Sequence, residues 1–123
     1  MKGLGFDLCG IDRFRDILRQ GDGFLKRYYT SEEEAYIHSR GNAAGESAAA
    51  LFAAKEAFLK ALGTGIDGKI PLKSIGVTHN AQGAPSYALG EEAANALQER
   101  GITQAWLTLT HDAGVAGAVC VLE

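Results

Sequence analysis

The chain has 123 residues and a mass of 13.0 kDa, the size of one domain and enough to bury a core without disulfide or metal staples. With 46% hydrophobic and 22% charged residues, a mean hydropathy of -0.05 and no apolar run near ~20 residues, the composition excludes disordered, collagen-like, coiled-coil and membrane-spanning chains. A net charge of -3 argues against a general nucleic-acid binder, while leaving room for a local basic patch.

Residues 3–11 alternate, with Leu4, Phe6 and Leu8 facing one way and Gly5, Asp7 and Cys9 the other, which predicts a strand. Asp12 is placed to cap a short helix over 13–20 whose Phe14, Ile17 and Leu18 share a side, and Gly21-Asp22-Gly23 stops it. Residues 24–29 read as a short apolar-basic turn or helix. Thr30 followed by Ser31, Glu32, Glu33 and Glu34 opens a helix to about 39, because a hydroxyl cap and early acids suit the helix dipole. A loop over 40–45 leads to the longest element, a helix over 46–62 rich in Ala, Leu, Lys and Glu. Its apolar face is Ala48, Leu51, Phe52, Phe58, Leu59 and Leu62, and Gly63 ends it. After a glycine-rich loop over 63–70 come a strand at 75–79, a turn at 81–85, a strand at 86–89 and a helix at 91–100. Strands at 105–110 and 115–122 close the chain as a hairpin turning at 111–114. Helices and strands in this order predict an α+β fold rather than alternating βαβ units.

Asp7 stands out, because a carboxylate inside an apolar strand is costly unless it faces water, finds a partner or binds a cation. Glu56 and Lys60 form an i,i+4 pair. Such a pair is ordinarily a solvated surface contact worth ~0.3–0.5 kcal/mol, but here it borders the apolar face and leads to the glycine loop. Two carboxylates from separate elements can hold Mg²⁺ against phosphate oxygens, with a lysine one turn away neutralising the same phosphates. The run from Gly63 to Lys69 matches GxxxxGK, but Ile70 replaces the required Ser or Thr and a helix precedes the loop, so it is not a P-loop. His38, His79 and His111 have no metal-ligand spacing, and His111 is expected at the hairpin tip. Cys9 and Cys120 read as free thiols in buried strands. The start lacks a basic segment followed by an apolar one, so the cytoplasm is the expected compartment. Five of the 12 cationic residues (Arg13, Arg15, Arg19, Lys26 and Arg27) fall within 12–27, which makes either a solvated helix face or a docking face for an acidic partner.

Two segments carry a resemblance. Gly5-Phe6-Asp7-Leu8-Cys9-Gly10-Ile11-Asp12-Arg13-Phe14 is similar to the N-terminal motif of the bacterial holo-acyl-carrier-protein synthases, small 4′-phosphopantetheinyl transferases. Phe52-Ala53-Ala54-Lys55-Glu56-Ala57-Phe58-Leu59-Lys60-Ala61-Leu62-Gly63-Thr64-Gly65-Ile66 resembles their central motif almost throughout. Gly83-Ala84-Pro85 and Leu109-Thr110-His111-Asp112 are weaker echoes. The resemblance implies one transferase domain over 1–123, a small antiparallel sheet packed with a long central helix, commonly as a homotrimer with its sites between subunits. It implies transfer of phosphopantetheine from coenzyme A to a serine of apo-acyl carrier protein, releasing 3′,5′-ADP, in fatty-acid synthesis or a related pathway. By motif position, Asp7 and Glu56 would ligate Mg²⁺ and Lys60 would contact phosphate or assist proton transfer. Gly63, Gly65 and Ile66 would line the coenzyme A site, Pro85 and His111 would reach the nucleotide end from a neighbouring subunit, and Arg13, Ile17 and Gln20 would meet the carrier protein.

The chain departs from the family at three positions: Gly10 where Glu is usual, Leu51 where Arg is common, and Ala84 where Lys is usual. A hydrogen bond to a charged group is worth ~1.5–3 kcal/mol, so the missing cations at 51 and 84 weaken the expected hold on coenzyme A, with Arg40, Lys69 and Lys73 as candidate replacements. These departures motivate an alternative, a non-catalytic homologue that binds coenzyme A or a carrier protein. A Mg²⁺-dependent phosphoester hydrolase is a further alternative, and it lacks the dense Asp and His clusters usual for such sites.

Overall fold

The computed structural model describes residues 1–64 and 69–123. Strand β1 (Gly3–Gly10) runs straight into helix α1 (Ile11–Arg19), followed by α2 (Gly23–Tyr28), α3 (Ser31–His38) and α4 (Ala44–Leu62). Beyond α4 come β2 (Ile75–His79), β3 (Pro85–Leu89), α5 (Glu91–Glu99), β4 (Ala105–Asp112) and β5 (Val115–Leu122). β1, β5 and β4 form an antiparallel sheet in that order, and β2 and β3 form a separate hairpin. The architecture is α+β, with α4 as its axis. α4 is buried on nearly every side, its Leu51, Ala53, Ala57, Phe58 and Leu59 being at most 1% exposed.

β1 lies against α4 at backbone contact distance, and two glycines make that possible. A Cβ on Gly5 would fall on the Ala57 carbonyl oxygen, and one on Gly3 on that of Ala61. The close approach decides which face of β1 is inward. Gly5, Asp7 and Cys9 are buried against the helix, while Leu4 and Leu8 are 59% exposed and Phe6 55%. Hydrophobic alternation therefore marks the strand correctly but runs opposite to the usual apolar-inside rule.

Thr30 caps α3 as its sequence predicts: its hydroxyl accepts from Glu33 N at 3.0 Å, and Glu33 Oε1 accepts from Thr30 N at 2.7 Å. Gly63 ends α4 in the left-handed region, at φ 80°. Two expectations are corrected. Asp12 is not the cap of α1; Gly10 is, because the strand passes directly into the helix, and Asp12 sits exposed in the first turn, paired with Arg15 at 2.7 Å. His111 is not at a hairpin tip. β4 continues to Asp112, and the turn is Ala113-Gly114, with φ 52° and 79°, so His111 lies in the strand opposite Ala116.

Candidate active site

Asp7 projects from the middle of β1 onto the side of α4 that carries Glu56 and, one turn on, Lys60. The Lys60 ammonium donates to Asp7 Oδ1 at 2.8 Å and to the Phe6 carbonyl at 3.1 Å. The Cys9 thiol donates to Asp7 Oδ2 at 3.5 Å. Single ligand atoms of Asp7, Cys9 and Glu56 lie within 4.8 Å of one another. Burial pushes the Glu56 carboxyl up to about 7, and the neighbouring Asp7 carboxylate adds to the rise, against the pull of Lys60 and Arg13. The Cys9 thiol goes up to about 12 for the same reasons, burial first and Asp7 second. The bond to Asp7 raises the pKa of Lys60, which stays a cation. The donors are two carboxylates from different elements, an arrangement that suits a hard divalent ion.

A cavity of 190 Å³ opens near the β4 edge between α3, α4 and β2; Tyr36, Arg40, Leu51, His79 and His111 line it. His79 stacks on Tyr36 with ring centroids 4.1 Å apart, and the Arg40 guanidinium lies 5.5 Å from the Tyr36 ring. His111 Nε2 is 2.8 Å from Glu46 Oε1. Burial, with Arg40 nearby, lowers the His79 pKa. Pro85 is the register partner of His79, which places it beside this cavity.

The structure thus brings Asp7, Glu56 and Lys60 together and sets Pro85 and His111 in a different region. Asp7 lies on edge strand β1 and His111 on the opposite edge strand β4, with β5 between them. Gly63 caps α4 a few residues beyond Lys60. Gly65 and Ile66 lie outside the described residues. On α1, Arg15 and Arg19 are paired with Asp12 and Asp16, whereas Arg13 has no acidic partner among the described residues. Instead, Arg13 sits 5.2 Å from the Phe14 ring and 5.9 Å from that of Phe52. Ile17 is half-buried and Gln20 exposed at the end of the helix.

Sequence reasoning put Cys9 on the Asp7 face of the strand through their i,i+2 spacing, but read its thiol as a buried free cysteine and not as a donor to that carboxylate. It also missed Lys55. This side chain is fully buried, 2.7 Å from Glu33 Oε1, and donates to the Leu72 and Ile75 carbonyls at 3.1 and 3.0 Å. No local signal separates it from other helical lysines.

Comparison with known proteins defines the class. The chain belongs to the 4′-phosphopantetheinyl transferase superfamily, whose family model matches residues 3–120. Within that class it is 44% identical over 122 residues to a holo-[acyl-carrier-protein] synthase of Syntrophus aciditrophicus, covering 98% of this chain and 94% of that one. The crystal structure of the holo-[acyl-carrier-protein] synthase from Neisseria meningitidis superposes with a TM-score of 0.90 at 33% identity, covering 100% of this chain and 98% of that one. The Helicobacter pylori enzyme in complex with coenzyme A gives 0.84 at 28% identity, covering 98% and 99%.

Proposed function

We propose that this chain, as one transferase domain over residues 1–123, moves the 4′-phosphopantetheine group of coenzyme A onto a serine of an apo-acyl carrier protein and releases 3′,5′-ADP. The observation that carries the reading is the buried Asp7 carboxylate opposed by Glu56, with Lys60 alongside, in a chain of this superfamily. In the reaction the serine oxygen bonds to phosphorus, the bond from that phosphorus to 3′,5′-ADP breaks, and the serine proton leaves. Such a transfer asks the protein for position and charge more than for covalent chemistry.

The donors fit Mg²⁺: both are hard oxygens, and the Asp7 charge, which adds to the burial that pushes Glu56 up to about 7, is what a cation relieves. Asp7 and Glu56 would hold the ion, which when bound supplies charge neutralisation on the pyrophosphate. Lys60 contributes a further cation. Its side chain is 53% exposed, so it can turn from Asp7 toward a phosphate, and its raised pKa favours neutralising charge over accepting a proton.

We assign Gly63, Gly65, Ile66, Pro85 and His111 to coenzyme A, and Arg13, Ile17 and Gln20 to the carrier protein. Arg13 suits an acidic partner because, unlike Arg15 and Arg19, it makes no ion pair among the described residues. Since Asp7 and His111 occupy opposite sheet edges, a second copy bringing its β4 edge beside β1 would complete the site. Leu4, Phe6, Leu8 and Trp106, each 53–59% exposed, offer an apolar outer face of the sheet for that contact. Both features support contact between copies of the chain, and the resemblance to the family makes the proposed assembly a homotrimer. Among the described residues no helix is long and apolar enough to cross a membrane. We place the protein in the cytoplasm, in fatty-acid synthesis or a related pathway.

A coenzyme A-binding homologue without turnover is the second reading. It is favoured by Leu51, buried in the cavity wall where family members commonly carry Arg, and countered by Arg40 in the same cavity. Intact-mass spectrometry of apo-acyl carrier protein, incubated with this chain, coenzyme A and Mg²⁺, separates the two. A gain of one phosphopantetheinyl group, lost with EDTA, is expected. No gain from folded protein that still binds coenzyme A would establish the second reading.

A further inference from the structure

We propose that Cys9 joins Asp7 and Glu56 in a three-donor site that captures thiophilic divalent cations such as Zn²⁺ or Cd²⁺ and excludes Mg²⁺ from the carboxylates. The inference rests on the reading of those carboxylates as a cation site.

The geometry comes from the strand. Cys9 and Asp7 are two residues apart on β1, so both face α4 and Glu56. A tetrahedral zinc ion with Zn–S near 2.3 Å and Zn–O near 2.0 Å requires its sulfur and oxygen ligands to be about 3.5 Å apart. Cys9 Sγ and Asp7 Oδ2 are 3.5 Å apart already. Lys60 engages Asp7 through the other oxygen, Oδ1, which leaves Oδ2 available to an ion. Glu56 supplies the third donor, with all three ligand atoms inside 4.8 Å. Three protein donors leave a tetrahedral ion one position for water or a phosphate oxygen.

The chemistry is selective. Mg²⁺ takes oxygen ligands, so the thiol remains a hydrogen-bond donor to Asp7 when that ion is bound. Zn²⁺ and Cd²⁺ accept sulfur. On binding, a metal–sulfur bond replaces the S–H bond, the proton leaves to solvent, and nothing is oxidised or reduced. The other cysteine offers no such group, since Cys120 lies on β5 beside the Tyr87 hydroxyl. Among the described residues, the other cluster able to hold an ion is Asp22, Glu34 and His38, which contains no sulfur. Sulfur in the coordination shell is therefore diagnostic of Cys9.

The test uses metal-free full-length protein. One equivalent of Cd²⁺ is expected to raise a thiolate-to-metal charge-transfer absorption that persists in excess Mg²⁺. Cys120→Ser should keep that band, and Cys9→Ser should lose it with Cd²⁺ affinity lower by about 10–100-fold. X-ray absorption of the zinc-loaded native protein should show one sulfur near 2.3 Å, and this result stands even if Cys9→Ser fails to fold. A shell of oxygen and nitrogen alone, or a band that survives in Cys9→Ser, overturns the proposal. The carboxylate reading is tested separately, by calorimetric Mg²⁺ binding to the native protein and to Glu56→Gln. Mg²⁺ binding that is equal in both removes that reading, whatever the fate of the cadmium band.

Discussion

Two acid–lysine pairs hang from the same helix and have nearly the same length. Lys55 meets Glu33 at 2.7 Å and Lys60 meets Asp7 at 2.8 Å. The first is fully buried, and its donors and acceptors are spent on the Thr30 and Val77 amides and the Leu72 and Ile75 carbonyls. The second is open at the lysine end, which is 53% exposed. Distance alone cannot tell a strut from a working pair; the number of remaining obligations on each group can. Lys55 has no freedom to meet a ligand, whereas Lys60 can exchange Asp7 for a phosphate.

Breaking the dry pair should give the largest effect. Lys55→Ala leaves the Glu33 carboxylate buried without its cation, and a loss of about 3–5 kcal/mol in denaturant unfolding is expected. Lys60→Ala should change the same measurement by less than about 1 kcal/mol, as for other solvent-screened pairs. Equal losses would erase the distinction. Next in size is Glu56→Gln, which removes one carboxylate while keeping its shape. Steady-state transfer should fall by about 10²–10³-fold, with the melting temperature held or raised. Full activity would remove Glu56 from the site. Arg13→Glu reverses the unpaired cation of α1, and KM for the carrier protein should rise by about tenfold while coenzyme A affinity holds. Unchanged carrier kinetics would remove α1 from the docking surface.

The smallest effect concerns His79. Burial and Arg40 lower its folded pKa, so below about 6.5 the unfolded chain binds the proton more readily. Its contribution to stability is complete above that pH and is lost as pH falls toward the folded value. Melting temperatures measured from about pH 8 down to about pH 5 should converge for native protein and His79→Gln at the acid end. Parallel curves would show that the imidazole carries no such penalty.

Much of this molecule is legible in its sequence because the signals are local. The Thr30 capping box, the Gly63 stop and the alternation of β1 each act within a few residues. Helical spacing pairs Glu56 with Lys60, and Asp7 is conspicuous as a carboxylate among apolar neighbours. What stays hidden depends on docking. Alternation gives β1 two faces, but only the seating of Gly3 and Gly5 on α4 shows that Asp7 points inward and Phe6 outward. Lys55 and Glu33 are 22 residues apart, and no periodicity links them. The turn near His111 falls later than its sequence suggests because Ala113 takes a positive φ, which sequence reasoning reserves for glycine, asparagine and aspartate.

The glycine seam between β1 and α4 also bears on how this protein tolerates change. The gap between Asp7 and Glu56 is set by main chain resting on main chain, as between two machined surfaces, and not by the volumes of core side chains. Substitutions elsewhere in the core would then erode stability well before they altered the separation of the carboxylates. A drifting sequence could exhaust its thermal margin while each surviving folded molecule still worked at nearly full rate.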